Sequence, residues 1–312
     1  MRAPQTVPRD GLPRQVTVYE VGPRDGLQNE PAIVPADVKA AFIARLAAAG
    51  LRTIEATSFV RPEWVPQLAD AEQVLGGLDL KGDVRYPVLV PNMRGLDRCL
   101  DLGVRDIAIF GSATETFAQR NLNRSVSAAI AMFEPVVAKA RAEGIRVRGY
   151  LSMCFGDPWE GDVPIGQVVT VSRQLLDLGC DQLSVGDTIG VATPGHVAAL
   201  LAAFGQAGIG PDRLAVHFHD TYGQALANTL SALECGVTVI DASAGGIGGC
   251  PFAGSATGNL ATEDLVWMLH GLGIDTGVDL RALTRTSQWM ARQLGRPVPS
   301  RVAAALAQKP EE

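Results

Sequence analysis

Two histidines, two residues apart in "HFHD" (217–220), could do metal chemistry. Alternate residues of a strand point to the same side, so His217 and His219 can face one point while Phe218 packs outward. A single histidine at a strand end is more often a satisfied core residue; a pair with this spacing has ligand geometry. Asp25, in "PRDG", can add a hard carboxylate oxygen, and Asn259, in "GNLATED", a carbonyl oxygen. Two imidazoles plus oxygens suit Mn²⁺, Zn²⁺ or Co²⁺ by ligand softness, and Mg²⁺ where waters complete the shell. Arg24 precedes Asp25, and an arginine beside a metal can hold a carboxylate or a developing enolate oxygen. Taken alone, "PRDG" favours a surface turn with Arg24 and Asp25 solvated or paired to one another.

A thiol raises a second question. "AGGIGGCPFAGSATGNLATED" (244–264) places Cys250 inside a run holding six glycines between Gly245 and Gly258. Backbone amides in such loops can cradle a phosphate, but no "GK[ST]" follows and the run fits neither the Walker nor the dinucleotide fingerprint. Glu55 and Asp187 each end an apolar run; they are N-cap or salt-bridge residues, or carboxylates inside a site. A carboxylate buried at a strand end must be paired, hydrogen-bonded or metal-linked.

These residues need elements to bring them together. β-rich runs recur at 15–21, 51–57, 84–90, 104–110, 145–152, 180–185, 213–219 and 236–242, and between most of them lie Ala- and Leu-rich stretches of helical periodicity, several closed by glycine. Strict alternation demands parallel strands with crossover helices. Eight units in about 250 residues is the usual size of a closed (β/α)8 TIM barrel, with an open doubly wound sheet as the competing α/β fold. On a barrel the polar segments "GPRDGLQNE", Glu55, "VGDTIG", "HFH" and the cysteine loop all open on the C-terminal face. We expect an N-terminal extension at 1–14 and one barrel domain over 15–312, ending in additional C-terminal helices from about Asp279 to Gln308.

Composition narrows the partners. A net charge of -6 over 312 residues argues against a nucleic-acid or anionic-membrane surface, and no segment reaches the roughly 18 apolar residues needed to span a bilayer. Small molecules are the expected partners, and a cytoplasmic location is expected from an N-terminus without an apolar signal region. The five cysteines are odd in number, widely spaced and free of any CxxC pair, so neither a disulfide framework nor a structural zinc site is indicated. Cys99, Cys154, Cys180 and Cys235 are expected in or beside apolar runs, and His196 and His270 on helices away from the barrel mouth.

The segments "EVGPRDGLQNE", "VGDTIG", "LAVHFHDTYGQALANTL" and "GGIGGCPFAGSATGNLATEDLVWML", with "EATSFV" and "PEWVPQ", together resemble the 3-hydroxy-3-methylglutaryl-CoA lyase family from about Val16 to Gly277. The resemblance implies a (β/α)8 barrel that uses a divalent metal, Mg²⁺ or Mn²⁺, to cleave an acyl-CoA substrate to acetyl-CoA and acetoacetate. That is a step of leucine degradation and ketone-body formation. Carried over position by position, it implies Asp25, His217, His219 and Asn259 as metal ligands and Arg24 as the enolate-stabilising arginine. Glu55 and Asp187 match active-site carboxylates, His217 is a further catalytic candidate, and Cys250 matches the catalytic cysteine of the family's loop. Arg24, Gln28, Ser58 and Ser184 are taken as substrate contacts, and a second copy of the chain as a candidate partner. Two departures stand out: Phe252 where the family often has tyrosine, and Asp157 where some members have a second cysteine. Competing activities are a lyase for a larger 3-hydroxy-3-alkylglutaryl-CoA, a metal-dependent Claisen condensing enzyme, and a noncatalytic metal-binding barrel.

Overall fold

The computed structural model describes residues 3–249 and 258–307. All eight β-rich runs become strands, and the second is split in two. They are β1 (Thr17–Glu20), β2 (Thr53–Ile54), β3 (Thr57–Ser58), β4 (Val88–Leu89), β5 (Asp106–Ser112), β6 (Arg146–Ser152), β7 (Gln182–Asp187), β8 (Leu214–Phe218) and β9 (Val239–Ala242). Every pairing is parallel, in the order β2-β1-β9-β8-β7-β6-β5-β4-β3. The two ends of that list belong to one stretch of chain. Glu55 N donates to Glu20 O of β1, while Ile54 N and Ala56 N donate to Arg85 O and Pro87 O on the β4 side. Residues 53–58 therefore join both edges of the sheet, and the eight-stranded barrel expected from the alternation closes.

Among the described residues eleven α-helices accompany the strands: α1 (Ala36–Ala48), α2 (Ala71–Gly76), α3 (Met93–Asp101), α4 (Glu115–Leu122), α5 (Val126–Ala142), α6 (Ile165–Leu178), α7 (Pro194–Gln206), α8 (Ala225–Glu234), α9 (Thr262–Gly271), α10 (Leu280–Leu294) and α11 (Arg301–Ala307). Their apolar faces pack on the outside of the barrel; Phe42, Phe133 and Phe204 are fully buried there. At the end of α1, Gly50 takes φ +100°, and a Cβ there would lie 2.1 Å from Gly277 O, so only glycine lets the chain before α10 approach this closely.

The additional C-terminal helices form as expected, and one cysteine expectation needs correction. The C-terminal stretch is two helices, because Gly295 (φ 65°) ends α10 in the left-handed region, and Pro297 and Pro299 then hold the connection out of helix before α11. Cys235 is exposed at the end of α8, whereas Cys99, Cys154 and Cys180 are buried. Burial pushes the Cys180 thiol up to about 12 and raises those of Cys99 and Cys154 as well. Phe252 and Cys250, and with them the middle of the glycine run, lie outside the described residues. His196 and His270 fall on α7 and α9 as expected. The first residues run against the chain after α9, with Val7 N donating to Gly271 O at 2.8 Å and Val16 N to Asp275 O at 3.0 Å.

Candidate active site

The chain leaves β1 through one tight π-helical turn, Gly22–Gly26, which carries Arg24 and Asp25 over the barrel mouth. Glu20 anchors that turn. Its Oε1 accepts from Gly22 N and from Ala244 N, both at 2.8 Å, and its Oε2 accepts from Thr262 Oγ1 at 2.7 Å. One buried carboxylate thus ties the loop after β1 to both stems of the cysteine loop.

Arg24, 6% exposed, reaches Glu55 in the gap between β2 and β3. Its Nε donates to Glu55 Oε2 at 2.8 Å, and Nη1 donates to Asp25 Oδ1 at 2.8 Å. Tyr150 of β6 donates to the same Glu55 oxygen at 3.0 Å, and Glu55 Oε1 is buried with no partner. Burial raises the Glu55 carboxyl above its ordinary value against the pull of Arg24. For Arg24, burial opposes the charge, but the Glu55 and Asp25 carboxylates outweigh it and the guanidinium stays charged.

Opposite lie the histidines. His217 Nε2 and His219 Nε2 face each other at 3.2 Å, and one ligand atom from each of Asp25, His217 and His219 falls within 4.8 Å of the others. Burial works against the Asp25 charge, yet Arg24 and the two histidines hold its carboxyl down at about 2. Burial lowers His219 to about 4, with His217 adding to the fall. Both groups are therefore in their metal-binding protonation states at neutral pH. Asn259, bridged to His219, donates from Nδ2 to Asp25 Oδ2 at 2.8 Å. Its Oδ1 is buried without a partner, as is His219 Nδ1. Three convergent ligand atoms, beside an amide whose oxygen is left without a partner, fit a cation. For Asn259 to offer oxygen to it, the amide must turn over from the orientation seen.

A cavity of about 790 Å³ opens above this group. Arg24, Asp25, Gln28, His217 and His219 line it, with Phe110, Tyr150 and Trp64 among the apolar and aromatic walls. Five of the described sequence-predicted residues do not line it: Glu55 and Asn259, which stand behind Arg24 and Asp25, and Asp187, Ser58 and Ser184. Asp187 is 1% exposed, and its oxygens accept from Val191 N at 2.9 Å and Ala192 N at 3.1 Å; burial raises its carboxyl to about 6. Ser58 is fully buried and accepts from Val60 N at 3.3 Å. Ser184 is fully buried and donates to Asp241 Oδ2 at 2.8 Å. Cys250 lies outside the described residues, but its neighbour Gly249 lines the cavity and Asn29 Nδ2 donates to Gly249 O at 2.9 Å.

The loop's stems are fixed. Gly245, Gly246 and Gly248 have φ of +74°, +69° and +98°, and a Cβ on Gly258 would lie 2.1 Å from Gly248 O. These glycines are required by backbone conformation and by the crossing of the two stems.

The polar layer beneath the site was not found from sequence. Arg148 and Tyr150 of β6, Tyr19 of β1 and Asp241 of β9 fill the barrel interior; Arg148 pairs with Asp241 and stacks 3.8 Å over the Tyr19 ring. The signal was available in "VRGYLS" and "VTVIDA", where charged or polar side chains alternate within strands instead of ending them.

The HMGL-like family pattern matches residues 15–290. The chain belongs to the HMGL-like family. It is 50% identical over 305 residues to the mitochondrial hydroxymethylglutaryl-CoA lyase of Bos taurus, covering 98% of this chain and 94% of that protein. It is 51% identical over 294 residues to the cytoplasmic 3-hydroxy-3-methylglutaryl-CoA lyase of Danio rerio, covering 94% and 88%. Among solved HMGL-like structures, the hydroxymethylglutaryl-CoA lyase of Pseudomonas aeruginosa superposes with a TM-score of 0.93 at 46% identity, over 96% of this chain and 100% of that one. The Acenitobacter baumannii HMG-CoA lyase in complex with coenzyme A and 3-methylmalate has a TM-score of 0.90 at 35% identity, covering 98% and 100%. Like these relatives, this HMGL-like chain is a TIM barrel, and among its described residues no helix is long and apolar enough to cross a membrane.

Proposed function

We propose that this chain is a 3-hydroxy-3-methylglutaryl-CoA lyase that cleaves its substrate to acetyl-CoA and acetoacetate, with Mg²⁺ or Mn²⁺ held by Asp25, His217, His219 and Asn259. The observation that carries the reading is the meeting of Arg24 with the Asp25–His217–His219 group on one cavity wall. A bound divalent cation there would polarise the C3 hydroxyl and lower its pKa.

The chain's own residues supply the rest. A guanidinium has five N–H donors; those of Arg24 not held by Glu55 and Asp25 are free to take the thioester oxygen as it becomes an enolate oxygen. Glu55 and Tyr150 fix the guanidinium plane, so the donors are aimed before substrate arrives. With both Asp187 oxygens engaged by loop amides, that carboxylate holds the β7–α7 connection. Gln28 is left as the cavity-lining substrate contact beside Arg24; Ser58 and Ser184 act through the backbone and through Asp241. Cys250 follows Gly249, a residue of the cavity wall, in the sequence, and its thiol is assigned the protonation of the enolate carbon.

The test is a product assay on metal-loaded protein with 3-hydroxy-3-methylglutaryl-CoA and with analogues bearing larger C3 alkyl groups. Preference for the methyl compound supports this reading; turnover only of the larger analogues replaces it with a related lyase.

A further inference from the structure

We propose that Asp241 is the positioning residue that decides which nitrogen of His217 carries the proton, leaving Nε2 of His217 as a lone-pair donor toward the site of Asp25 and His219. The inference deepens the proposed metal role of His217 and rests on it. Asp241 lies within β9, one residue before its end, with 2% exposure, and each of its oxygens is committed. Oδ1 accepts from Arg148 Nη2, a group that can only donate. Oδ2 accepts from Ser184 Oγ at 2.8 Å and faces His217 Nδ1 at 3.2 Å. Arg148 is itself held, by Gln182 Oε1 at 3.1 Å and by the Tyr19 ring.

A carboxylate offers Nδ1 only acceptors, so the proton of a neutral His217 sits on Nδ1 and the lone pair on Nε2. Such carboxylate–histidine pairs behind a ligand raise its basicity and fix its orientation. Arg148 makes the arrangement unusually sensitive to one change. In Asp241→Asn the amide oxygen must stay against Arg148, because an NH₂ group there would face a donor. The NH₂ group then faces His217 Nδ1 and drives the proton to Nε2, the nitrogen a metal needs free. Removing Arg148 as well frees the amide to turn its oxygen back toward His217.

Long-range ¹H–¹⁵N spectra of the metal-free full chain, recorded at rising alkaline pH until the His217 signals stop moving and its ring is neutral, report the tautomer directly. His217 is identified by the signals lost in His217→Gln. We expect Nδ1–H in the parent protein and Nε2–H in Asp241→Asn, with Mn²⁺ affinity by calorimetry reduced by about 10- to 100-fold in that variant. Asp241→Asn/Arg148→Met should recover the Nδ1–H tautomer and most of the affinity. Nε2–H in the parent protein overturns the proposal, and this result stands even if Asp241→Asn does not fold. An Asp241→Asn protein that melts earlier with unchanged tautomer and affinity also overturns it, making Asp241 only the counter-ion of Arg148. A parent protein with Nδ1–H that binds no Mn²⁺ defeats the metal reading instead and leaves the tautomer assignment standing.

Discussion

Arg24 and Glu55 meet through a single oxygen: Nε and Nη2 of the arginine both lie 2.8 Å from Glu55 Oε2, while Oε1 is buried without a partner. The pair locks the turn after β1 to the strand that closes the barrel. It also leaves the Arg24 charge aimed at the cavity, so its contribution should fall on the transition state. Arg24→Gln is expected to lower kcat by on the order of 10² or more while raising KM much less. A variant changed only in KM would reduce Arg24 to a binding group.

His219 is 5% exposed, and its Nδ1 has no partner, so it has no structural hydrogen bond to lose at that atom. His219→Ala should therefore fold, and lose at least about 10-fold in metal affinity and most of its activity. Metal content by mass spectrometry on folded protein checks this; full occupancy with parental turnover removes the site.

How much of this site could be read from sequence divides along a physical line. Residues at or just beyond strand ends, Asp25, His217 and His219, were legible because polar groups there follow or interrupt apolar runs, and the structure gathers them. Asp241, Arg148 and Tyr150 lie inside strands, where the strand period shows which side they take but not that the barrel interior is polar. Asp187 and Ser184 were legible as polar strand residues, yet their partners, two amides of the following loop and the Asp241 side chain of another strand, are revealed by no spacing. The split of the second strand escaped for the same reason: its halves pair with different neighbours, a property of closure. Glycine was legible as punctuation only; that Gly248 and Gly258 serve a backbone crossing is visible only in three dimensions.

The thiol of Cys250 is expected to act in proton transfer. Cys250→Ala should depress kcat by roughly 10² to 10⁴ with little change in melting temperature. In a Cys235→Ser background, Cys250 should be alkylated faster than Cys99, Cys154 and Cys180, whose thiols burial holds protonated, and bound substrate should slow the labelling. Slow labelling together with parental turnover in Cys250→Ala ends the catalytic role.

Among the buried carboxyls that make stability depend on pH, Glu20 and Glu263 are raised by burial from an ordinary 4.5 to about 7, despite the hydrogen bonds each accepts. Because the folded state favours the neutral form, their contribution is fully present below the unfolded value and is lost as pH rises through about 7. It amounts to about 1.4 kcal/mol per unit of difference. Thermal melts should thus fall between acid and mildly alkaline pH, and Glu20→Gln, which keeps the shape but not the titration, should flatten the slope. An unchanged slope in that variant would assign the effect elsewhere.

The most direct measurement is product stoichiometry with the purified chain and 3-hydroxy-3-methylglutaryl-CoA, followed by mass spectrometry before and after metal removal by a chelator. One acetyl-CoA and one acetoacetate should form per substrate consumed, the reaction should stop in the chelated protein, and added Mn²⁺ or Mg²⁺ should restore it. Intact substrate after incubation with folded, metal-loaded protein, or cleavage at the same rate without metal, would contradict the assignment.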